Sequence, residues 1–112
     1  MGITEGKAER MAEIFFSGAS REDICVYAAL LRPQPPGYNE ECLELTEGNF
    51  GQVRKAYIKT LQDQVNLPVH QDTWIARLGD GVVVKEIDSG HGPFISAPSE
   101  LAEVLQGLCS LP

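Results

Sequence analysis

The chain has 112 residues, 43% of them hydrophobic, and a formal net charge of −7 from 16 acidic and 9 basic side chains. That length suits one domain or a piece of one, and the apolar content argues against disorder throughout. An acidic chain without a basic run argues against nucleic acid and against an anionic membrane surface as partners, because both are bound largely through Lys and Arg.

The first stretch, Met1 to Arg10, carries Glu5, Lys7, Glu9 and Arg10 and lacks the apolar core of a signal peptide. No apolar run approaches the roughly 20 residues of a membrane-spanning helix. Cys25, Cys42 and Cys109 are odd in number and far apart, which reads as reduced thiols in the cytoplasm. No CxxC or HxxxH spacing occurs, so neither a metal nor another cofactor is expected.

Over residues 7–18, Met11, Ile14 and Phe15 recur at helical spacing beside Ala8 and Ala12, and Gly18 ends the pattern. Ser20 has the character of an N-cap, with Glu22 and Asp23 in the first turn and Asp23 at the capping-box position. The helix that follows, about Arg21 to Leu31, buries Ile24, Ala28 and Leu31. Pro33, Pro35 and Pro36 stop it, since proline lacks the N–H and clashes with the preceding turn, leaving an extended link over 32–40.

Cys42, Leu43 and Leu45 form a short apolar patch and a candidate strand, and Thr46 to Gly51 reads as a turn. Ala56 to Leu61 has the β-branched and aromatic content of a strand. Pro68 opens a helix over about Val69 to Leu78, with Trp74, Ile75 and Leu78 on its apolar side. Gly79-Asp80-Gly81 is a turn. Val82 to Ile87 is a second strand, whose run of valines fits a parallel sheet covered on both faces. After the loop Asp88 to Pro93, a last helix starts near Pro98 with Leu101, Val104, Leu105 and Leu108 on one face. Strand, helix, strand, helix in this order implies two parallel strands joined by a crossover.

In parallel sheets, sites lie beyond the carboxyl ends of the strands. Asp63 follows the first strand and His91 the second, 28 residues later. Side by side, the Asp accepts a hydrogen bond from one imidazole nitrogen and leaves the other to take a proton. Position alone leaves alternatives open: an Asp after a strand is commonly a turn former or helix cap, and a lone His in a Gly-Pro loop is commonly structural.

The segment Tyr57-Ile58-Lys59-Thr60-Leu61-Gln62-Asp63-Gln64-Val65-Asn66-Leu67-Pro68, with Gln71 opening the next helix, resembles the strand and triad acid of the methylesterase and hydroxynitrile-lyase branch of α/β-hydrolases. Ser89-Gly90-His91-Gly92-Pro93-Phe94-Ile95-Ser96-Ala97-Pro98 resembles its histidine segment, and Glu100 to Leu105 its final helix. Phe15 to Ser20 and Leu30 to Pro35 resemble the cap region and its proline-rich link. The resemblance runs from about Ala8 to Leu108. It implies a partial α/β-hydrolase fold: cap-like helices and link over 1–54, then two parallel strands with flanking helices over 55–112.

The same resemblance implies Asp63 as triad acid and His91 as general base, acting on a small carboxylic ester. Phe15, Phe16 and Tyr27 are candidates for a pocket lining, with packing under the cap as the plainer reading. Trp74 and Phe94 are expected in the core.

Two departures qualify this. None of Ser17, Ser20, Ser89, Ser96, Ser99 and Ser110 has the flanking glycines of the Gly-x-Ser-x-Gly nucleophile elbow. Gly92 stands where the lyases carry a lysine, which favours the esterase branch. The expectations are therefore negligible turnover by this chain alone, and exposed strand edges that leave three situations: a truncated gene product, pairing with a separate N-terminal half, or self-association. A non-catalytic module binding an apolar ligand or partner, and a small α/β protein with structural Asp63 and His91, are the competing readings.

Overall fold

The computed structural model describes residues 5–112, so the first four residues of the Met1–Arg10 stretch lie outside it. Helix α1 (Glu5–Phe15) and helix α2 (Arg21–Leu30) pack against each other. Ala12 and Ala28 are the side chains they bury, and residues this small let the helices approach closely. Gly18 turns the corner between them at φ 88°, a left-handed conformation costly for any residue with a Cβ. Ser20 caps α2 as expected, its Oγ accepting the Asp23 N–H at 3.1 Å.

From 31 to 55 the chain has no regular element except a 3-10 turn at Phe50–Gln52. The strand expected around Cys42 to Leu45 does not form. Leu43 is 86% exposed and no strand runs beside it to satisfy its backbone.

Strands β1 (Ala56–Thr60) and β2 (Val83–Ile87) pair in parallel, Ala56 opposite Val83 and Thr60 opposite Ile87. Helix α3 (Pro68–Leu78) connects them, with Pro68 in its first turn. A four-residue helix α4 (Pro93–Ser96), missed in the sequence, follows β2 and leads into α5 (Pro98–Cys109). No helix among the described residues is long and apolar enough to cross a membrane.

Burial in the two strands is graded. β1 is open at Ala56 and closes at Thr60, while β2 is half-buried at Val83, exposed from Val84 to Glu86 and closed at Ile87. The expectation of a sheet covered on both faces is corrected accordingly: among the described residues the sheet has two strands, and Val84 is exposed. Trp74 and Phe94, expected in the core, are also exposed, Phe94 with its ring 6.4 Å from that of Phe16. On α5, Leu101, Val104 and Leu108 are half-buried while Leu105 faces out.

The corner after α1 presses on the loop after β2. A Cβ added to Gly90 would lie 2.6 Å from the Ser17 carbonyl oxygen, and one on Gly92 3.0 Å from the Phe16 ring. Gly90→Ala is expected to lower stability by about 1–3 kcal/mol through overpacking. Gly107→Ala, in open space on α5, is expected to raise it by about 1 kcal/mol. Urea midpoints moving in opposite directions would bear this out; a neutral Gly90→Ala would contradict the close approach.

Candidate active site

The loops leaving β1 and β2 continue the sheet's pairing beyond the strands. Leu61 donates its backbone N–H to the Ile87 carbonyl at 3.0 Å, and Gln62 donates to Ser89 at 3.0 Å. The Gln62 side chain adds a bond to Asp88 at 3.1 Å. These bonds hold the next residues of both loops side by side, and those residues include Asp63 and His91.

Asp63 is 4% exposed. Its Oδ1 accepts the backbone N–H of Val65 at 2.9 Å and of Asn66 at 2.8 Å, an Asx turn. Its Oδ2 accepts the Thr60 hydroxyl at 2.8 Å and pairs with His91 Nδ1 at 3.0 Å. Two carboxylate oxygens offer about four lone-pair positions, and all are used. Burial alone pushes the Asp63 pKa up. The donors Asn66, Thr60, His91 and Val65 together outweigh it and hold the carboxyl below its ordinary 3.8.

An ionised Asp63 cannot donate, so the Nδ1 of a neutral His91 carries the proton and the Nε2 lone pair is left as the basic position. Nε2 has no hydrogen-bond partner among the described residues, and the side chain is 28% exposed. The ring is held from the other side by Phe15, edge-on at 5.2 Å between centroids. The Ser89 and Ser96 hydroxyls lie 2.6 Å apart and staple the ends of the histidine loop together. The arrangement is a preorganised proton acceptor whose cationic form faces a buried anion.

A cleft of about 270 Å³ opens beside the pair, bordered by Tyr57, Ile58, Asn66 and Leu101. Burial, then the nearby Asp63 and Asp72 carboxylates, push the Tyr57 phenol up, with Lys59 opposing, so it stays neutral at physiological pH.

No family model matches the chain. It is 32% identical over 105 residues to Methylesterase 17 of Arabidopsis thaliana, spanning 88% of this chain and 37% of that protein. It is 30% identical over 101 residues to Esterase PIR7B of Oryza sativa subsp. japonica, spanning 85% of this chain and 37% of that one. The crystal structure of polyneuridine aldehyde esterase superposes with a TM-score of 0.78, covering 92% of this chain and 41% of that one at 23% identity. The chain is a segment of the α/β-hydrolase fold, and its homologues are plant esterases. Across the relatives matched, it spans between 23% and 38% of their length.

Within this hydrolase segment, Asp63 and His91 are brought together. The three aromatic pocket candidates separate. Phe15 touches the His91 ring, and Phe15 and Phe16 both border a groove of about 540 Å³ with Met11 and Leu31. Tyr27 lies outside that groove and packs on Phe16 at 5.1 Å. Sequence reasoning gave no role to Thr60 and none beyond resemblance to Gln71. A threonine three residues before the Asp was the available signal for the first.

A folded-state pKa below 3.8 means that the ionised Asp63 contributes stability present above that pH and lost as pH falls through the folded value. Asp63→Asn is expected to cost about 1–3 kcal/mol near neutrality by leaving donors unmatched. The gap to the wild type should close on acidification below 3.8. Urea titrations at two pH values measure it, and parallel pH profiles would refute the assignment.

Proposed function

We propose that Asp63 and His91 are the acid and general base of a serine-esterase triad whose hydroxyl comes from polypeptide outside these 112 residues. The observation that carries this is the 3.0 Å bond between His91 Nδ1 and a buried carboxylate, with Nε2 open. A serine hydroxyl gives its proton to Nε2 as its oxygen attacks the ester carbonyl. The imidazolium, stabilised by Asp63, returns the proton to the departing alkoxide. Water then takes the serine's part to release the acid.

Small carboxylic esters are the substrates this reading favours, and the names of the relatives make methyl esters the first to test. Phe15 is the cap residue nearest the chemistry, while the Phe16–Tyr27 contact supports a packing role for that pair. Residues 1–54 act as cap and link, and 55–112 as the core portion. The exposed sheet supports a complementing N-terminal hydrolase portion as partner, or else a second copy of the chain. Three exposed free cysteines support a reducing compartment, the cytoplasm by the sequence reading, although several relatives are named chloroplastic.

The chain alone is expected to show no saturable aryl-ester hydrolysis, since it supplies neither nucleophile nor oxyanion hole. Joined behind the N-terminal portion of Esterase PIR7B, it should support saturable turnover, and Asp63→Asn should lower kcat by about 10⁴-fold, with His91→Ala at least as damaging. A chimera whose activity survives His91→Ala would sink the proposal. Saturable ligand binding without turnover in the chimera would favour the binding-module reading.

A further inference from the structure

Gln71 is the most buried large side chain among the described residues, at 1% exposure, yet it is polar and lies on α3. Its amide is fully engaged. Oε1 accepts the Thr60 N–H at 3.0 Å, and Nε2 donates to the Thr60 carbonyl at 2.9 Å and to the Asn66 carbonyl at 2.7 Å. One N–H and two carbonyls leave no choice of amide orientation. The Thr60 hydroxyl lies 3.3 Å from Oε1 but 2.8 Å from Asp63 Oδ2, so its single proton goes to Asp63.

Each bond that Gln71 makes ends on a residue that itself holds Asp63. Thr60 delivers its hydroxyl to Oδ2, and Asn66 delivers its N–H to Oδ1. We infer that Gln71 is a positioning residue for the Asp–His pair. It clamps the strand end and the Asx turn to each other, and so fixes where Asp63 Oδ2 meets His91 Nδ1. It makes no hydrogen bond to His91 among the described residues, although both border the same cleft. The inference rests on the triad reading above and adds a residue to it.

The alternative is that Gln71 merely fills a buried space. Gln71→Met keeps the volume and loses all three bonds. Gln71→Glu keeps the shape and one acceptor, but sets a carboxylate against two carbonyl oxygens. Asp72→Asn, next along α3, breaks the ion pair that the exposed Asp72 makes with the half-buried Lys59 and serves as control. The chain has two histidines, so the imidazole nitrogens are readily assigned by ¹⁵N NMR. In the wild type, neutral His91 should be the Nδ1–H tautomer, the form the Asp63 bond requires. In Gln71→Met and Gln71→Glu it should shift toward the Nε2–H form common in free imidazole, while Asp72→Asn leaves it unchanged. In the hydrolase chimera, both Gln71 variants should lower kcat, by up to about 10²-fold for a displacement near 1 Å, with KM little changed.

A wild-type His91 without the Nδ1–H tautomer defeats the triad reading itself. A normal wild type with an unaltered tautomer in both Gln71 variants defeats only the Gln71 inference. Failure of both variants to fold would assign Gln71 to the fold alone and overturn the inference as well.

Discussion

A carboxylate taken almost wholly out of water keeps its charge only if donors replace the water it loses. Asp63 is in that position, and four donors converge on it from three directions: the strand end, its own turn and the histidine loop. The rest of the well-packed part of the molecule serves this arrangement. Gln71 holds the strand end and the turn together, the extended β1–β2 pairing brings the two loops level, and Gly90 lets the corner after α1 close over the histidine.

This explains an inversion in what the chain buries. The buried apolar residues are Ala12, Ala28 and Ile87, while the buried polar ones are Thr60, Asp63, Gln71 and Ser89. An ordinary small domain hides its large aliphatic side chains and leaves polar ones outside. Here Leu43, Val69, Phe94 and other large apolar side chains are exposed, and the sheet is closed only at the end that carries the site. The segment therefore contributes more precision than hydrophobic stability. Leu30, Leu43, Val69 and Phe94 each stand more than 60% exposed.

How much of this was legible depends on the range of the cause. Ser20 as a cap, Gly18 as a stop and the order of β1, α3, β2 and α5 follow from local chemistry, and these features were readable. Asp63 and His91 were readable as a pair because each stands at a strand end and because their flanking residues resemble a known segment. The strand at Cys42 to Leu45, the burial of Trp74 and Phe94 and the two-sided cover of Val84 were misread together. Each was read from apolar character alone, and Leu43, Trp74, Phe94 and Val84 are all exposed. Apolar pattern reports what a residue prefers to contact, and it cannot say whether the contact is present. Gln71 escaped for the opposite reason. A glutamine in a helix's first turn looks like a solvated residue, and only the fold shows that a strand end and a turn meet at its amide.

The same distinction of range accounts for a site being this complete in a chain that spans so little of its relatives. The supports of Asp63 lie two, three and three residues away in sequence, and those of Gln71 five and eleven. Only the His91 bond reaches across the βαβ unit. Contacts this local cost little chain entropy to form, so the anion and its cradle assemble from one short stretch of polypeptide. The histidine then needs only the adjacent parallel strand to reach it. The Asp63–His91 pair is thus a self-contained arrangement, because the interactions that define it close within a single strand–helix–strand unit.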